Sequence, residues 1–239
     1  MQLNLISDEG GENLQRFYQE ALLENVQPLD RYEAYFTLGL LAWRAGKPVE
    51  TYSLLNCAAL EAVQIIEMRD TRNIAAVRVP DSVTIPFLVV INFGDSALFK
   101  RAASISRQQW FQPEAHEYKP LADLLDILRQ HAVGVALPGE KLERLIAQNQ
   151  LPGVDAFYQP WVANMAQGLL AVARKDNRTV QQYLQALLLQ HEDMAFEGGW
   201  QNLVEGLMSF WATSLFMIAK KENISLDVEM FYIYHSSSK

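Results

Sequence analysis

Apolar residues recur at helical spacing through most of the chain. Leu14, Phe17, Tyr18, Ala21 and Leu22 fall at i, i+3, i+4, i+7 and i+8, which lines one face of a helix over about 12–25. Pro28 interrupts that pattern. Asp30 is placed to cap a second helix running to about Ala45, with Tyr32, Phe36, Leu40 and Trp43 along one side. Gly46 closes it, and Pro48 suits the first turn of a third helix over about 48–68, where Tyr52, Leu55, Ala59, Ala62 and Ile66 align. Beyond Pro113 and Pro120, Leu121, Leu124, Leu125 and Leu128 form another helix face. Leu142, Leu145 and Ile146 mark a short helix after the Pro138-Gly139 turn. Leu151-Pro152-Gly153 ends it, and Asp155 can cap a helix carrying Trp161, Met165, Leu169 and Val172. After a polar turn at 174–178, Val180, Tyr183, Leu184, Leu187, Leu188 and His191 give an unusually regular stripe. Gly198-Gly199 breaks the chain. The segment 201–221 is apolar nearly all round, which predicts a central buried helix.

Two stretches read differently. Residues 70–92 hold two prolines and several β-branched residues, which fit a loop, an extended segment or a short β-hairpin. The run Phe87–Phe93 is too short for periodicity to separate strand from helix. A helix from about Pro86, continuing past Gly94 through Ala97, Leu98, Arg101 and Ala102, is the favoured reading. After Asn223, the alternation over 224–234 predicts an extended tail. The expected architecture is all-α, a multi-helix bundle of stacked helical hairpins. It forms one domain over 1–239, whose halves 1–135 and 136–239 pack together. An internal echo supports the hairpin pattern. The stretch from Gly39 to Tyr52 resembles that from Gly168 to Tyr183, with two extra residues in the second turn. Helix–turn–helix pairs of this kind resemble tetratricopeptide-like packing.

Composition narrows the function classes. The chain has 239 residues, half of them apolar and 20% charged, enough to bury a core without a disulfide or metal. Its formal charge of −8 lacks the basic footprint of a nucleic-acid binder, so no nucleic-acid partner is expected. A single cysteine, Cys57, rules out an internal disulfide and sits in the apolar context of a small core residue. The first residues show no signal-peptide pattern, and the apolar window 203–219 contains Glu205 and is short for a membrane span. A cytoplasmic protein with no membrane partner is expected. The acidic excess is shared evenly between 1–120 and 121–239, but no Lys or Arg lies between Arg178 and Lys220, where Glu192, Asp193, Glu197 and Glu205 fall. The plain reading is a solvated face. The sharper one is a negative surface that steers a basic partner.

Reactive constellations do not stand out. His116-Glu117 and His191-Glu192-Asp193 lack the spacing that sets two imidazoles on one helix face for zinc, so neither a metal nor a cofactor is expected. His191 is read as a surface or helix-end residue, favoured as a cation by the helix dipole. No nucleophile elbow frames Ser104 or Ser106, and Gly10-Gly11 and Gly198-Gly199 lack the Lys-Ser/Thr of a phosphate loop. The expectation is a protein that is not an enzyme. A helical enzyme whose site is assembled from distant residues is the third-ranked reading. Trp43, Trp161 and Trp211 sit at core-facing positions, whereas Trp110-Phe111 and Trp200 lie near predicted loops, where an aromatic packs beneath a loop or anchors an interface.

The C-terminal half resembles the bacterial polymorphic-toxin immunity proteins of the immunity protein 49 family. The resemblance is carried by residues 168–192, a helix ending in a basic residue and Asp176, then a helix with Tyr183, Leu184 and Leu187 that closes on His191. It continues in 215–229, a helix, a turn and an acidic extended segment. Two departures are evident. Phe231-Tyr-Ile-Tyr-His235 replaces a Tyr-Leu-Pro-like ending, and 85–101 lacks the family's tryptophan. The resemblance implies an immunity protein that binds a cognate secreted toxin and occludes it stoichiometrically, without turnover. A basic, nuclease-like effector is the expected partner. Glu192, Asp193, Glu197 and Glu205 are the expected contact residues. A tetratricopeptide-like scaffold for an intracellular protein or peptide is the alternative.

Overall fold

The computed structural model describes residues 8–23, 27–68, 81–107, 116–200 and 203–227. Ten α-helices and no strands occur among them, so the fold is all-α. In chain order they are α1 (Asp8–Leu23), α2 (Pro28–Arg44), α3 (Pro48–Glu67), α4 (Asp81–Phe93) and α5 (Ser96–Ser104). There follow α6 (Lys119–Ala132), α7 (Gly139–Gln148), α8 (Gln159–Ala173), α9 (Asn177–Phe196) and α10 (Phe210–Lys221). Short 3-10 turns occur at His116–Tyr118 and Val204–Leu207.

Local chemistry accounts for most boundaries. Pro28 opens α2 instead of breaking the chain, since the first turn needs no proline N–H. Asp30 therefore lies in that first turn and is not the cap, which is Gln27. Asp155 accepts from the N–H groups of Phe157 and Tyr158, both at 3.0 Å, closing a turn just ahead of α8. Asp95 caps α5 by accepting from Ala97 N at 2.9 Å and Leu98 N at 2.8 Å. That cap splits the single helix expected through Gly94 into α4 and α5. A Cβ at Gly94 would stand 2.5 Å from the Val90 carbonyl, so the split requires glycine there. Helix α4 begins at Asp81, ahead of Pro86, which lies inside it and forgoes one backbone hydrogen bond. Of the expected loop or hairpin in 70–92, residues 81–92 are helical and 70–80 lie outside the described residues. Trp110, Phe111 and the tail beyond Asp227 lie outside them too.

The predicted long helix over 201–221 is shorter than expected. Met208 and Ser209 are extended, and Ser209 Oγ caps α10 by accepting from Ala212 N at 3.3 Å. Its central position is as predicted. Helix α10 packs on α4, α8 and α9, with Phe210, Trp211, Ala212 and Leu215 buried. One buried apolar cluster runs from Tyr32 to Ile224 and takes side chains from α2 through α10.

The hairpins α2/α3 and α8/α9 turn identically. Ala45 N, Gly46 N and Lys47 N donate to the carbonyls of Leu41, Trp43 and Ala42, while Arg174 N, Lys175 N and Asp176 N donate to those of Leu170, Val172 and Ala171. The turns match residue for residue, without the two-residue insertion that pairing Tyr52 with Tyr183 requires. Gly46 (φ 70°) and Lys175 (φ 57°) occupy the same left-handed position. The helix glycines behave differently. A Cβ on Gly39 would meet Leu55 of the same hairpin at 2.7 Å, whereas one on Gly168 would meet Leu215 of α10 at 2.5 Å. Each hairpin has been fitted to its own neighbours.

Candidate partner-binding site

Aromatic side chains form two ladders that meet at the start of α10. Tyr32 stacks on Phe36 (5.6 Å between centroids), Phe36 stacks on Phe210 (5.5 Å), and Phe93 meets Phe210 edge-on (6.4 Å). Trp211 stacks on Trp161 (6.1 Å), Trp161 lies 5.6 Å from Trp200, and Trp200 covers His191 at 5.4 Å. Adjacent residues Phe210 and Trp211 thus anchor one ladder each. Such ring pairs add to what their buried area alone contributes.

Between the ladders opens a cavity of about 930 Å³. Leu14 and Tyr18 of α1, Tyr32 and Phe36 of α2, Ile65 and Ile66 of α3, and Thr84 to Pro86 of α4 form one side. Trp161, Trp211, Gly199, Trp200 and Leu203 to Glu205 form the other. Its size is that of ligand sites. Leu29, Phe157 and Leu203 stand exposed at its mouth. Among the described residues its only charged lining groups are Glu33 and Glu205. Burial first, then the charges of Glu205 and Glu33, push the Tyr32 phenol upward and hold it neutral.

His191 joins this wall to α9. It is 1% exposed, five residues short of the helix end, and its Nε2–H donates to the Gly206 carbonyl at 3.1 Å. Burial pushes its pKa down to about 4, against the opposing pull of the Gly206 bond. It is a neutral core group, not the surface or helix-end cation that the sequence suggested. The other residues of the resemblance serve packing as well. Leu184 and Leu187 are buried, Tyr183 is half-buried, and Asp176 caps α9 by accepting from Thr179 N at 3.1 Å. Cys57 is half-buried, and burial with the nearby Glu61 pushes its thiol up, so it stays protonated.

The four expected contact carboxylates gather at one end of the fold. The last turns of α9 lie against the 3-10 turn that carries Glu205, with the Gly206 Cβ position 3.3 Å from Ala195. Glu192 and Glu205 are half-buried, while Asp193 and Glu197 are exposed. None of the four makes an ion pair among the described residues. No basic residue occupies the last turn of α9, although a helix C-terminus favours cations. Glu33, which the sequence pattern did not single out, joins Glu205 at the cavity. Some acids elsewhere are paired: Arg31 grips buried Glu61 through two bonds of 2.9 Å, and Arg101 pairs with Glu67. Among the described residues no three His, Cys, Asp or Glu side chains converge on a metal position, and no helix is long and apolar enough to cross a membrane. No protein-family profile, curated protein or solved structure matches the chain.

Proposed function

We propose that this chain is an immunity protein, which binds a cognate secreted toxin stoichiometrically and blocks it. The observation that carries the reading is the unpaired acidic end of α9, with Asp193 and Glu197 exposed and no base in the last turn. Carboxylates at a helix C-terminus oppose the helix dipole and cost the fold stability. A basic partner returns that cost and is steered to the surface by it. The resemblance in 168–192 supplies the class of partner, and a basic toxin cleft supplies the complementary charge. The test is co-expression with the toxin encoded by an adjacent reading frame. Protection of the cells and a one-to-one complex on gel filtration are expected; persistent toxicity refutes the reading.

The second reading is a tetratricopeptide-like scaffold. It is supported by the matching turns of α2/α3 and α8/α9, a common helix ending that α10 also makes at Glu222–Ile224. The hairpins meet chiefly through α4 and α10 rather than stacking as consecutive repeats. A scaffold would recover a peptide or folded partner from cells without protecting against any toxin.

A further inference from the structure

We infer that the cavity between the aromatic ladders receives an arginine or lysine side chain, set between apolar residues, from a partner polypeptide. The inference rests on the binding role proposed above and specifies what the partner presents. Charge complementarity selects the occupant. Among the described residues the lining holds two carboxylates, Glu33 and Glu205, and no Lys, Arg or His. Neither carboxylate makes an ion pair among the described residues. Trp161, Trp200 and Tyr32 contribute aromatic lining, and an aromatic ring attracts a cation. A long apolar stem with a charged head matches an apolar floor with acidic groups.

The mouth favours a polypeptide over a free small cation. Leu29, Phe157 and Leu203 are 54%, 42% and 47% exposed, and all three line the cavity. Apolar side chains grouped at an opening mark a contact with a larger surface. At about 930 Å³ the space exceeds what one side chain fills, which leaves room for its apolar neighbours.

The full chain is titrated by calorimetry and tryptophan fluorescence with the peptide acetyl-Leu-Arg-Leu-Phe-amide. Its neutral citrulline counterpart and free butylguanidinium are titrated alongside. The arginine peptide is expected to bind about tenfold more tightly than the citrulline peptide. That preference is expected to vanish in E33Q/E205Q at an unchanged melting temperature. Equal affinities, a preference that survives in the double variant, or no saturable binding of the arginine peptide each overturn the inference. Butylguanidinium binding as tightly as the arginine peptide assigns the cavity to a free small cation and also overturns it. Toxin protection is scored separately. Protection without peptide selectivity retains the neutralising role and removes the cavity assignment; selectivity without protection does the reverse.

Discussion

The imidazole of His191 donates from Nε2 to the carbonyl of Gly206 at 3.1 Å, tying α9 to the turn that carries Glu205. The bond fixes the tautomer, because a carbonyl can only accept. Burial holds the folded pKa at about 4, below the ordinary 6.5. Between those values the unfolded chain binds a proton that the folded chain refuses. Stability is therefore intact above pH 6.5, falls as pH drops toward 4, and levels below it. The loss is about 3 kcal/mol for this group. His131, also held down by burial, adds in the same direction. Urea unfolding at several pH values measures the slope, and H191Q is expected to flatten it.

Gly168 is required by contact, not by backbone angle. A Cβ there would sit 2.5 Å from one methyl of Leu215, a fully buried side chain. G168A should destabilise the fold by about 1–3 kcal/mol, despite alanine's better helix propensity. The same change in an L215A background should cost less, because the obstructing methyl is gone. A double-mutant cycle by chemical denaturation reads the coupling.

Asn92 is a buried polar group that joins distant parts of the chain. Its Nδ2 donates to the Phe210 carbonyl at 3.0 Å, and its Oδ1 accepts from the Ser214 hydroxyl at 2.7 Å. N92A leaves the Ser214 hydroxyl with only the Phe210 carbonyl, at 2.9 Å, as acceptor. A cost of about 2–3 kcal/mol is expected from calorimetric melting, and N92D should not restore it, since a carboxylate lacks the donor.

The two matched turns make opposite demands. G46A places a side chain at φ 70° in open space, so its cost is conformational, about 1 kcal/mol. K175G relieves the same strain at φ 57° but removes the exposed pair of Lys175 with Glu222. Its net effect should stay within about 0.5 kcal/mol. Thermal melts of both variants provide the comparison.

What the sequence could reveal depended on range. The stripe from Val180 to His191, the faces of α2 and α3 and the proline that opens α3 follow from local periodicity and proline's first-turn preference, so they were legible; the start of α2 at Pro28 was not, since Asp30 reads as its cap. The single helix read over 201–221 was not legible as two elements, because Ser209 caps α10 within an uninterrupted apolar run. The run Phe87–Phe93 was ambiguous because its polar member, Asn92, finds its partners in α10. His191 was misread for the same reason: a histidine at the end of a stripe is solvated or buried according to what folds over it, here Trp200 and Gly206. The acidic gap after Arg178 was visible in one dimension. Glu33 was not, since only the packing of α2 beside the 204–207 turn brings it to Glu205's cavity.

The acidic end of α9 predicts a kinetic signature. Exposed carboxylates beyond an interface core act mainly on encounter, since their attraction reaches about 8–10 Å at ordinary ionic strength and is then screened. E192K/D193K/E197K should slow association with a basic toxin by about tenfold or more at low salt, and leave dissociation nearly unchanged. The dependence of the association rate on salt should flatten, because the steering field has been removed. Asp193 and Glu197 are exposed and unpaired among the described residues, so the triple variant should keep its melting temperature or raise it, as cations suit a helix C-terminus. Stopped-flow association at two salt concentrations, with a melt of each variant, gives the result. An association rate that ignores the reversal means that the toxin docks elsewhere.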